Sequence, residues 1–203
     1  IWDRRSRSLF LARDRLGIKP LYYYISEDQR TLIFGSELKA IIAFGSQFRE
    51  LNLEAIPLFL HYQYIPSPRT IFKNILKLLP GHFLVYRDCN AKIQPYWQLP
   101  AVTRVENTSD LSDNDRLQQL DDLLTNAVSD CLISDVPLGV YLSGGLDSSS
   151  IVAFMSELVD EPVRTVSLGF NEPTDELDDA QVIAEHFSTN HHQWSPQHPD
   201  IVP

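Results

Sequence analysis

The stretch that most constrains this chain is Ser143-Gly144-Gly145-Leu146-Asp147-Ser148-Ser149. It follows an apolar run, Val136 to Leu142, that reads as a buried strand. It opens a second run, Leu146 to Leu158, that reads as a helix. Without Cβ atoms, Gly144 and Gly145 let the chain turn sharply and bring its backbone close to a ligand. The first amides of a helix have no partner inside it and carry partial positive charge. The hydroxyls of Ser143, Ser148 and Ser149 add donors. Together these features predict a phosphate cradle at a helix N-terminus. The plainer reading is a Ser/Gly turn that caps a helix, with Asp147 as the N-cap.

The loop is neither of the two commonest phosphate motifs. It lacks the Lys of G-x-x-x-x-G-K-[ST], and it is not G-x-G-x-x-G. Charge neutralisation must therefore come from elsewhere, and a divalent ion is the natural source. Asp147 is placed to hold Mg²⁺ beside the phosphates, where the ion would bridge pyrophosphate oxygens and help the leaving group depart.

The surrounding pattern supports a nucleotide-type fold. Val163 to Phe170 reads as a strand, Asp178 to Phe187 as a helix, and His191 to Trp194 as the opening of another strand. Strand–helix–strand–helix order implies a parallel sheet with right-handed crossovers. Ahead of it, Leu117, Leu120, Leu124, Val128 and Cys131 form the apolar stripe of an amphipathic helix, capped by Ser112 or Asp113.

The first half reads differently. Ser8–Arg13, Leu21–Ile25 and Thr31–Phe34 are strand-like. Ser36 would cap a short helix through Phe44. A second helix is expected from Leu53 to Tyr64, kinked or late-starting because of Pro57. Residues 82–88 and 91–97 read as a hairpin turning at Asp88-Cys89-Asn90.

Charge marks the same division. Residues 1–100 carry 14 Lys and Arg against 8 Asp and Glu, a balance of +6. Residues 101–203 carry 3 against 19, a balance of −16. The polar segment 99–115 lies where the sign changes, so two units are expected to meet there. The acidic half argues against nucleic-acid or anionic-membrane binding. No apolar run is long enough to span a membrane. Two cysteines without C-x-x-C fit a reducing compartment, and a cytoplasmic location is expected.

S-G-G-x-D-S resembles the PP-loop of the ATP pyrophosphatases. The longer string Val136 to Ser149, V-P-L-G-V-Y-L-S-G-G-L-D-S-S, resembles glutamine-dependent asparagine synthetases. The first half agrees. Ala12 to Tyr23 (A-R-D-R-L-G-I-K-P-L-Y-Y), Phe34 to Ile41, Leu79-Pro80-Gly81-His82 and Tyr96-Trp97 resemble the late glutaminase domain of that family, in the right order.

The resemblance implies an α+β unit followed by an α/β unit. Residues 1–100 would be the C-terminal part of a class II glutamine amidotransferase domain, a remnant of a four-layer αββα N-terminal-nucleophile fold. Residues 101–112 would be a linker. Residues 113–203 would start an incomplete parallel-sheet PP-loop domain.

It also implies ATP-dependent amidation of aspartate to asparagine, with glutamine-derived ammonia and a β-aspartyl-AMP intermediate. ATP and Mg²⁺ are the implied cofactors, and a homodimer is an expected assembly. Ser143, Gly144, Gly145, Asp147 and Ser148 match the pyrophosphate- and Mg²⁺-binding positions. Leu142 and Leu168 fall at strand ends whose backbone contacts adenine in the family, Leu168 through the match of Thr165-Val166-Ser167-Leu168-Gly169-Phe170.

The family's nucleophilic Cys is residue one, whereas this sequence opens with Ile1. No catalytic residue is therefore assigned, and the sequence is expected to be a fragment. A related ligase such as a β-lactam-forming synthetase, and a non-catalytic truncated product, remain alternatives.

Other residues have plainer expectations. Arg13, Asp14, Arg15 and Lys19 should form ion pairs and an interdomain contact. Cys89 lies in a turn and should not be catalytic, while Cys131 should be core. His186, His191, His192 and His198 fit no zinc spacing. Glu172, Asp175, Glu176, Asp178 and Asp179 should form a solvated loop and helix start, with one carboxylate available to Mg²⁺. Tyr22-Tyr23-Tyr24 should be packed sheet.

Overall fold

A computed structural model of the 203-residue chain describes residues 1–100, 112–170 and 172–195. The chain divides into two compact units, 1–103 and 104–203. Most of the expected linker, 101–111, lies outside the described residues, as does His198.

The first unit is built from two antiparallel sheets. One has the order β1-β2-β6-β7, from Trp2–Asp3, Ser8–Ala12, His82–Arg87 and Asn90–Pro95. The other has the order β4-β3-β5, from Leu32–Gly35, Tyr22–Ile25 and Ile75–Lys77. Period-two alternation sends Leu11 and Leu84 of the first sheet and Tyr23 of the second into one shared core with Leu78. Tyr22 and Tyr24 point from the other face of the second sheet into a cluster with Ile41, Phe48 and Ile75. Helix α1, Leu38–Ile42, supplies part of that layer. The three tyrosines are thus packed sheet.

Helix α1 differs from expectation at its start, and the helix after it takes the later start that Pro57 led us to expect. Glu37, not Ser36, is the N-cap of α1, with no side-chain capping bond. Helix α2 runs Ala55–Tyr62, so Pro57 is its third residue. A proline there costs no helical hydrogen bond, because first-turn amides have no partner in any case, and the helix simply starts late. Strand β5 was not anticipated. Its three residues are too few to show a period, yet Ile75 is fully buried.

The hairpin of β6 and β7 pairs Arg87 with Asn90. Asp88 and Cys89 form its tip, both with positive φ, and Cys89 is exposed.

Among the described residues, the charged residues 13–19 do not form the expected ion pairs. Arg13 donates to the carbonyls of Gly17 (2.7 Å), Leu78 (2.7 Å) and Lys19 (3.1 Å). Asp14 accepts from the amides of Ile18 (2.8 Å) and Lys19 (3.1 Å), which holds its carboxyl below the usual range. The turn Gly17 makes brings carbonyls and amides within reach, and they satisfy both charges before any partner side chain can.

The second unit begins with α3, Asp113–Cys131. Ser112 is its N-cap, in a reciprocal capping box with Asp115. Only Val128 of the stripe is buried, packed with Met155 and Val163. Leu117 and Leu120 are exposed, and so is Cys131, contrary to the core expectation. Among the described residues α3 packs on one helix near its C-terminal half, which leaves the rest of the stripe bare.

A parallel three-stranded sheet follows, with the order β10-β9-β8: Asn190–Trp194, Arg164–Leu168 and Val140–Tyr141. Helices α4, Leu146–Leu158, and α5, Leu177–His186, are the crossovers. Leu142, Val152, Ala180 and Ala184 form their common core. The expected strand 136–142 contracts to the two residues of β8, and Pro137, with no amide to donate, lies outside it. No helix among the described residues is long and apolar enough to cross a membrane.

Candidate functional site

The described end of β8 leads through Leu142 into the Ser-Gly-Gly loop, and α4 begins immediately after it. Gly145 is the N-cap and makes no side-chain capping bond. Asp147 is therefore not the cap that the plainer reading expected. It sits on the first turn, exposed. A Gly at the cap leaves the first-turn amides without a side-chain acceptor, so an anion at the loop would meet them directly.

Gly144 has φ +78° and lies against the start of α5. A Cβ there would stand 2.6 Å from the Asp179 Cβ and 2.7 Å from the Ala180 nitrogen. Around Gly145 the nearest atom to such a Cβ is the Ser143 Oγ, at 3.3 Å. The first glycine is thus needed for packing, while the second leaves its surroundings open.

The serines are not equivalent donors. Ser148 Oγ donates to the Gly145 carbonyl (3.2 Å), accepts from the Ser143 amide (3.2 Å) and lies 3.0 Å from the Ser143 Oγ. It closes the loop on itself. The Ser149 hydroxyl is buried without a hydrogen-bond partner among the described residues.

Beside the loop, the ends of β8 and β9 open into a cleft of about 420 Å³. Tyr141, Leu142, Ser143, Ser167 and Leu168 line one part of it, and Thr174, Asp175 and Glu176 another. The structure thus brings Leu142, Ser143 and Leu168 together on the cleft. Gly144, Gly145, Asp147 and Ser148 continue from it along the loop and the first turn of α4.

Asp175 is not free. Its Oδ2 accepts from the amides of Phe170 (2.8 Å) and Glu172 (3.2 Å), shaping the loop after β9. Glu176 occupies the N-cap position of α5, with Asp178 and Asp179 in its first turn. No cluster of three or more His, Cys, Asp or Glu positioned to hold a metal occurs among the described residues.

Sequence reading missed Ser167 and Thr174. Ser167 is nearly fully buried, and its hydroxyl donates to the Leu142 carbonyl. The available signal was the polar side chains of Thr165 and Ser167 at alternate positions in an apolar strand. Thr174 lies in a turn whose fold no local pattern specifies.

Comparison with known proteins follows the same division. Residues 1–97 match the model of a glutamine amidotransferase domain, and residues 119–201 match that of asparagine synthase. The chain belongs to the asparagine synthetase family.

Among its relatives is a putative glutamine-hydrolysing asparagine synthetase of Methanocaldococcus jannaschii. It is 36% identical, over 96% of this chain and 37% of the relative. A glutamine-hydrolysing asparagine synthetase of Bacillus subtilis is 31% identical over the whole chain and 34% of its own length. An amidase of Penicillium rubens is 34% identical over 78% of the chain and 23% of the relative. The chain spans about a third of the length of the first two relatives.

Proposed function

We propose that this chain is the junction of an ATP-dependent asparagine synthetase. Its first unit would belong to a four-layer αββα glutaminase domain and its second to a PP-loop domain, with the boundary at residues 101–112. The observation that carries the reading is the Ser-Gly-Gly loop at the end of a parallel strand, directly behind a glutaminase-like unit in the same chain.

In this reading Leu142 and Leu168 present backbone groups to adenine. The amides of the loop and of the first turn of α4 receive the pyrophosphate. The exposed carboxylate of Asp147, unpaired with any Lys or Arg in the ion pairs of the described residues, would hold Mg²⁺. When bound, Mg²⁺ supplies charge neutralisation for the departing pyrophosphate. The aspartate β-carboxylate attacks the α-phosphorus, the bond to the bridging oxygen of pyrophosphate breaks, and β-aspartyl-AMP forms. Ammonia from glutamine then attacks the acyl carbon and AMP leaves, giving asparagine. In a segment of balance −16 the phosphates depend on local amides rather than on a general positive field.

The test is product formation by the whole protein. Aspartate, glutamine and ATP·Mg²⁺ should yield asparagine, AMP and pyrophosphate, and Asp147→Asn should lower that rate at least about tenfold. AMP formation with another carboxylic acid and not with aspartate would move the assignment to a ligase with a different acceptor, such as a β-lactam-forming synthetase. No AMP with any acid would leave the non-catalytic reading.

A further inference from the structure

Ser167 is not a residue that a phosphate-loop motif selects. It lies on β9, is 3% exposed, and donates its hydroxyl to the Leu142 carbonyl at 2.5 Å. That bond stands where a ladder bond would be. Tyr141 opposes Val166 in the parallel pairing of β8 and β9, and the Leu142 amide donates to the Val166 carbonyl at 2.9 Å. The next rung of a parallel ladder would run from the Leu168 amide to the Leu142 carbonyl.

The pairing instead stops at Tyr141, while β9 continues against β10 as far as Leu168 opposite Trp194. Gly169 donates its amide to the Trp194 carbonyl at 2.9 Å. Alternation along the strand therefore aims the Leu168 amide toward the β8 side, where Leu142 and Leu168 line the cleft.

We propose that Ser167 is a positioning residue: by occupying the Leu142 carbonyl it keeps the strand ends unzipped, so that the Leu168 amide stays available to the edge of a purine ring. This rests on the nucleotide reading above. Being buried, the hydroxyl acts through the backbone and not on the ligand. With the Leu142 carbonyl taken, the parted strand ends present the Leu168 N–H as a donor, which a ring-nitrogen acceptor on a base edge complements. Pyrophosphate, seated on the loop amides, does not depend on it.

The test is calorimetric titration of the whole protein with ATP and, separately, with pyrophosphate, both with Mg²⁺. Ser167→Ala should raise the Kd for ATP at least about tenfold and leave that for pyrophosphate within about twofold. Ser167→Thr, which keeps the hydroxyl, should restore ATP binding. If the alanine variant does not fold, Ser167→Cys, a weaker donor of similar size, should show the same selective loss. Equal ATP affinity in wild type and Ser167→Ala would overturn the inference alone. So would parallel loss of both ligands, or a folded Ser167→Thr that does not recover. A wild-type protein that binds no ATP would overturn the nucleotide reading itself.

Discussion

Gly144 sits so close to Asp179 that a Cβ on the glycine would stand 2.6 Å from the Asp179 Cβ. The loop and the start of α5 are therefore one packed unit, and the left-handed φ of +78° compounds the restriction. Gly144→Ala should destabilise the second unit by about 3 kcal/mol, from backbone strain and overpacking together. Chemical denaturation of the variant measures this. An unchanged midpoint would mean that α5 yields freely.

Arg13 should resist even conservative change. Its guanidinium reaches three carbonyls, of Gly17, Leu78 and Lys19. A lysine is a single point donor and cannot span that fork. Arg13→Lys should cost about 2 kcal/mol, the scale of lost hydrogen bonds to a charged group. If urea unfolding of Arg13→Lys matched wild type, the fork would be ornamental.

The tip of the β6–β7 hairpin offers a gain. Asp88 and Cys89 both have positive φ, 49° and 56°. That is the type I′ arrangement in which Asp-Gly is favoured. Cys89→Gly should stabilise the first unit by about 0.5–1 kcal/mol. The same variant should keep any activity of the whole protein, since the thiol is placed in a turn and not in a site. A lower thermal midpoint would contradict it.

His191 should set an acid limit on stability. Its Nδ1 lies 2.8 Å from the Thr165 Oγ1, which also meets Thr189, and its Nε2 is buried without a partner among the described residues. Burial first, then the neighbouring His192, holds the imidazole below its ordinary 6.5. The unfolded chain therefore takes up a proton that the folded chain resists. The resulting stabilisation is present above pH 6.5 and is lost as pH falls from there through the folded value. His191→Gln should flatten the fall of the melting temperature as pH drops below about 6.5. An identical slope in the variant would assign the acid limit to other groups.

How much was legible depended on how local the cause was. The parallel unit was readable because strand, glycine turn and helix each leave a pattern within a dozen residues. Helix α5 and strand β10 fell within one residue of expectation, and the Ser112 cap was among the two candidates. Strand β5 and the boundaries of α1 were not readable. Three residues show no period, and Ser36 satisfies every rule for a cap that Glu37 occupies instead.

The sequence by itself determined the chemistry within reach of the loop: two glycines, a carboxylate without a lysine, and a strand before a helix. Those are covalent facts about neighbours, and neighbours suffice to specify a turn. Only the tertiary structure decided which groups are already engaged. It turned Ser148 inward, spent Arg13 and Asp14 on backbone, left Cys131 and Leu117 uncovered, and placed the Ser167 hydroxyl on the Leu142 carbonyl. Hydrogen bonds and burial are settled by which segments meet in space, and Ser167 meets Leu142 across 25 residues of chain.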